Sequence, residues 1–148
     1  MAEYESGLAR QTLDTFLKLY HHFRTTNRQI SEHGVHPRMF SVLRFIHEQG
    51  AVTVGDVQEY LYRSPSTAST FISKLEDRGL VTRTRSLEDN RVVIVELTGE
   101  GRRIATETPL QGIPLLRRKL SGLSRERLER INDALGDILD LMEVDGDE

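Results

Sequence analysis

"YRSPSTASTFISKLEDRG", residues 62–79, decides the fold, because two kinds of side chain alternate through it with a helical period. Ala68, Phe71, Ile72 and Leu75 recur at i, i+3, i+4 and i+7, the spacing that gathers apolar groups on one side of a helix. At about 100° per residue, the opposite side carries Ser66, Thr67, Ser69, Thr70, Ser73 and Lys74. Ser64 before Pro65 reads as an N-cap with proline at the first helical position, and Gly79 reads as the C-terminal stop. Solvated helix faces ordinarily carry Glu and Lys. Ser and Thr instead lower helix stability by a few tenths of a kcal/mol per position, on the order of 0.3. Short hydroxyls do suit close approach to phosphates and base edges. Taken alone, the same face also fits a plain exposed helix, so the neighbouring segments carry the decision.

Upstream, "VTVGDVQEYL" offers Thr53 as an N-cap with Asp56 three residues later, then Val54, Val57 and Leu61 at helical spacing. Two helices joined by a short turn form a helix-turn-helix, whose second member commonly enters the DNA major groove. Downstream, "LVTRTR" and "RVVIVEL" are rich in β-branched residues and flank the polar loop "SLEDN", the pattern of a β-hairpin. Helix, helix and hairpin predict a winged helix-turn-helix. The fold class is mainly α with a small β-hairpin wing (α+β).

Composition bounds the chemistry. The 148 residues include no cysteine, which excludes disulfides, thiolate metal sites and thiol redox sensing within the chain. No apolar run approaches the roughly 20 residues that span a bilayer, and "MAEYESGLAR" lacks a signal-peptide plan, so a cytoplasmic location is expected. The net charge of −3 argues weakly against nucleic acid. Its distribution answers that objection. Over residues 52–103 Arg63, Lys74, Arg78, Arg83, Arg85, Arg91, Arg102 and Arg103 balance an equal number of carboxylates, and the acidic excess lies beyond residue 104. Arg63, Lys74, Arg83, Arg85 and Arg91 fall on the segment predicted to face a duplex.

Both flanks carry seams. Leu13, Phe16, Leu17, Tyr20 and Phe23 recur at three- and four-residue steps through a helix that ends before Gly34. Leu128, Ile131, Leu135, Ile138 and Met142 alternate steps of three and four after Ser124, an N-cap candidate. Such seams suit two chains that intertwine, although packing on the chain's own core would use part of them. The organisation expected is an N-terminal dimerisation helix at 1–34, a winged helix-turn-helix at 35–100 and C-terminal dimerisation helices at 101–148.

These segments in this order resemble the MarR family of regulators from about residue 10 to 142. "VHPRMFSVLRFI" (35–46) is similar to the family's second helix, "SPSTASTFISKLEDRGLV" (64–81) to its recognition helix and first wing strand, and "DNRVVIVELT" (89–98) to its Asp-x-Arg wing tip and following Leu-Thr. The resemblance implies a homodimeric transcription factor on pseudo-palindromic double-stranded DNA, usually a repressor released by a small-molecule effector. It implies that Ser66, Thr67, Ser69 and Thr70 face the major groove, that Arg91 enters the minor groove and that Asp89 orients the wing. Ser64, Ser73, Lys74, Arg83 and Arg85 complete the expected DNA-binding set, with Arg63 serving a phosphate. Two departures stand out. Thr70 replaces an arginine common in the family, which removes one bidentate guanine contact, and Tyr62 and Arg63 stand where a glycine and an apolar residue are usual.

Other classes have less behind them. Neither GxGxxG, a P-loop, HExxH nor GxSxG occurs, so no enzyme and no cofactor is expected. His21 and His22 are adjacent and diverge on a helix, and the five histidines specify no metal site. A metal-sensing regulator built on Glu32, His33 and His36 is the alternative in that direction. A winged helix serving only protein interaction is the other.

Overall fold

The structure is a computed structural model and describes residues 7–61 and 65–144. Along the chain run α1 (Gly7–Glu32), α2 (Pro37–Gln49), β1 (Val52–Thr53), α3 (Val54–Leu61), α4 (Pro65–Asp77), β2 (Val81–Arg85), β3 (Val93–Leu97), α5 (Gly99–Glu107), α6 (Gly112–Leu120) and α7 (Arg125–Leu141). They fall into two compact units, Met1–Pro114 and Leu115–Glu148.

The first unit holds the core. Phe40, Val42 and Leu43 of α2, Val57 of α3, Ile72 and Leu75 of α4, Val95 of β3 and Ala105 of α5 are fully buried together. Thr53 and Asp56 form the reciprocal cap expected from their spacing: the Thr53 N–H donates to Asp56 Oδ2 at 2.8 Å and the Asp56 N–H to Thr53 Oγ1 at 3.0 Å. Inside, the Ser41 and Tyr60 hydroxyls meet at 2.6 Å, and Phe45 stacks on the Tyr60 ring with centroids 4.3 Å apart. Burial of both hydroxyls is thus compensated across α2 and α3.

The sheet is antiparallel in the order β1-β3-β2. The hairpin of β2 and β3 matches the expected wing, whereas β1 is an addition: Val52 pairs opposite Val95 and is buried. A two-residue strand is too short to display an alternating pattern in sequence.

The boundary expected at residue 100 falls inside this unit. Helix α5 lies against α2, where Arg44 Nη1 donates to the Ala105 carbonyl at 3.1 Å, and Ile104 and Ala105 enter the core. At the start of α5, a Cβ on Gly101 would stand 2.0 Å from the Leu80 carbonyl oxygen, so only glycine permits this approach. Within α1, Thr26 and Ile30 are the buried residues, while Leu13, Leu17 and Tyr20 are exposed and Phe16 and Phe23 half-buried.

In the second unit Ser124 caps α7, accepting the Arg127 N–H at 3.4 Å. No residue of α7 is buried, and Leu128, Leu135 and Leu139 stand exposed on it.

Candidate nucleic-acid interface

Helix α4 is framed as its sequence requires. At its C-terminus the Gly79 N–H donates to the Glu76 carbonyl at 2.8 Å and the Leu80 N–H to that of Leu75 at 3.0 Å. This closing turn places Gly79 at φ +68°, a conformation that favours glycine. Ala68, Ile72 and Leu75 are buried and Phe71 half-buried, which fixes the helix's rotation. Ser66, Thr67, Thr70 and Lys74 are therefore exposed, with Ser69 and Ser73 half-buried beside them. Ser73 Oγ donates to the Ser69 carbonyl at 3.0 Å, so its remaining hydrogen-bonding capacity is as an acceptor. Arg63 and Ser64, the remaining members of this predicted face, lie outside the described residues.

Residues that the sequence reading missed border this face. The first turn of α2 brings His36, Arg38 and Met39 alongside α4, and with Thr70, Phe71 and Lys74 they line an open groove of about 530 Å³. His36 caps α2 through Nδ1, which accepts the Arg38 N–H at 3.2 Å. Arg38 and Lys74 are exposed, and among the described residues neither side chain has a hydrogen-bonding or ionic partner within the chain. Pro37 marks where α2 starts, but the approach of Arg38 to α4 depends on packing between elements distant in sequence.

The wing cations divide into two groups. Arg83 is engaged inside the unit, its Nη2 donating to Glu76 Oε1 at 3.1 Å and its N–H to Glu76 Oε2 at 3.2 Å, so it joins β2 to α4. The guanidinium hydrogen bond, helped by its charge and opposed by partial desolvation, holds the Glu76 carboxyl below the usual glutamate range. Arg85 braces the wing loop, donating from Nη1 to the Asn90 carbonyl at 2.8 Å. Arg78, at the end of α4, reaches the Gly34 carbonyl at 2.6 Å and thereby ties α4 to the α1–α2 loop.

Arg91 is different. Asp89 Oδ1 accepts the Arg91 backbone N–H at 2.9 Å, the Val92 N–H closes on the Asp89 carbonyl at 2.9 Å, and the Ser86 N–H reaches the Val92 carbonyl at 2.8 Å. Asp89 thus shapes the turn through the backbone and forms no ion pair with the Arg91 guanidinium. That guanidinium is exposed and, among the described residues, has no partner. The geometry leaves a hydroxyl and lysine face, a basic groove rim and a projecting arginine on one unit. No three His, Cys, Asp or Glu side chains converge on a metal-sized site among the described residues.

Comparison with known proteins matches residues 35–93 to the MarR family model. The organic hydroperoxide resistance transcriptional regulator of Bacillus subtilis is 31% identical over 103 residues, covering 70% of this chain and 69% of that protein. The chain belongs to the MarR family. YsmB of B. subtilis, an uncharacterized HTH-type transcriptional regulator, is 31% identical over 78 residues, 53% of each chain. The chain spans about half to two thirds of the length of the first curated relatives it matches. Among solved structures, FabT of Streptococcus pneumoniae in complex with DNA superimposes with a TM-score of 0.60 at 22% identity, covering 90% of this chain and 97% of FabT. At that identity the likeness establishes the winged-helix fold of this MarR-family chain. No described helix is long and apolar enough to cross a membrane.

Proposed function

We propose that this chain is a sequence-specific, DNA-binding transcriptional regulator that acts as a homodimer on a pseudo-palindromic operator, as a repressor released by a small-molecule effector. The observation that carries it is the exposed Ser66, Thr67, Thr70 and Lys74 face of α4, held outward by a buried apolar side and accompanied by the projecting Arg91. Hydroxyls read base edges in the major groove, and a guanidinium gains from the negative potential of a narrow minor groove. Arg38 and Lys74 are placed to take backbone phosphates on the groove rim. The exposed seams of α1 and α7 support pairing of two copies, since small DNA readers double their contacts by symmetry. A DNA partner implies a cytoplasmic location. With no cysteine, effector release works by differential binding to two conformations rather than by thiol oxidation.

Duplex binding measured across a salt series tests this directly. Affinity is expected to fall steeply with salt, because neutralised phosphates release counterions. Salt-independent or absent binding would favour a protein-interaction module instead.

A further inference from the structure

The wing carries a residue that its turn chemistry does not explain. Leu87 lies in the loop between β2 and β3 and exposes 103% of its reference surface, the most of any large apolar residue described. Singly exposed leucines are ordinary on protein surfaces. This one sits at the tip of a loop held shut by hydrogen bonds. The Ser86 N–H is fixed to the Val92 carbonyl, Ser86 Oγ accepts the Glu88 N–H at 3.2 Å, and Arg85 holds the Asn90 carbonyl. The loop therefore presents Leu87 with little remaining backbone freedom to lose on contact.

Net charge at the tip adds nothing to the local attraction of the Arg91 guanidinium. Glu88 and Asp89 offset Arg91 and the engaged Arg85, so residues 85–91 carry no net charge at neutral pH. Beyond Arg91, such a wing tip gains from a groove by desolvation and shape. The minor groove offers sugar walls of low polarity, and apolar side chains, leucine among them, are recurrent wedges there. Flexible pyrimidine–purine steps, TA among them, open to such a contact at the lowest cost.

We propose that Leu87 is an apolar minor-groove contact, packing against the deoxyribose walls at flexible TA steps beside the Arg91 guanidinium. The inference rests on the DNA-binding function proposed above. It assigns the wing two separable terms, one apolar and salt-independent from Leu87, one ionic from Arg91.

The test uses the full chain and a duplex that it recovers from a randomised pool, with fluorescence anisotropy from roughly 50 to 200 mM salt. Leu87→Ser is expected to weaken binding about five- to twentyfold at every salt concentration, leaving the slope of log affinity against log salt parallel to the parent's. Leu87→Met, which keeps an apolar side chain of similar volume, is expected to stay within about twofold. Arg91→Ala is expected to flatten the slope by about one unit if its guanidinium also meets a phosphate. A Leu87→Ser chain that binds as tightly as the parent, or whose loss appears as a changed slope, overturns the wedge and leaves DNA binding standing. A parent that binds no duplex overturns both.

Discussion

Leu43 in α2 and Leu135 in α7 belong to equally regular helical stripes, yet the first is 0% exposed and the second 52%. Leu43 lies in a core cluster to which α3, α4, the sheet and α5 also contribute buried side chains. Along α7, and along the first four turns of α1, the stripe stays open. Periodicity thus says that a face demands burial without saying against what. The closed stripes belong to the winged core; the open ones are the part of the molecule for which a second copy is proposed.

The largest effect tests the closed region. Gly101→Ala forces a methyl group toward the Leu80 carbonyl at the junction of α5 with the start of β2. It is expected to destabilise the chain by about 3 kcal/mol, measured by denaturant unfolding. A variant as stable as the parent would show that α5 is not seated on the core as described.

A comparable substitution in the open region acts differently. Leu135→Asp is expected to leave the secondary structure intact while weakening self-association by about 2 kcal/mol or more, read by sedimentation equilibrium. If the stripe is merely exposed, the variant and the parent will sediment alike at micromolar concentration, and the contrast with Leu43 loses its proposed meaning.

The smallest effect concerns the ion pair between α4 and β2. Arg83 lowers the Glu76 carboxyl in the folded chain, so the pair stabilises folding above the ordinary glutamate value and loses that contribution as pH falls through the lowered one. Glu76→Gln is expected to lower Tm slightly at neutral pH, with the difference from the parent shrinking in acid. A difference that grows in acid would contradict the assignment. Because both partners are only half-buried and solvent still screens them, the core's stability is expected to rest on apolar burial.

Much of the winged core was legible in sequence because its signals are local. The apolar stripe through Ala68, Ile72 and Leu75, the Thr53 and Asp56 cap and the Gly79 stop each depend on residues within a turn or two. What escaped depends on distant partners. Arg83 reads in sequence as one of the duplex-facing cations, and its pairing with Glu76 across α4 and β2 leaves no mark there. Arg38 carries no sequence signal of its own, because its place beside α4 follows from how the start of α2 sits against that helix. Helix α5 falls largely in the segment 101–148 expected to dimerise, and its Ile104 and Ala105, which enter the winged core, make too short a stripe to declare that in sequence.

Hydroxyl-radical footprinting of the full chain on a selected duplex shows whether α4 and the wing of two paired copies read DNA. Two protected half-sites related by a pseudo-dyad are expected, with their centres roughly 10 bp, one helical turn, apart on one face of the duplex. Protection of a single half-site, or none at a concentration where the chain is dimeric, would contradict it.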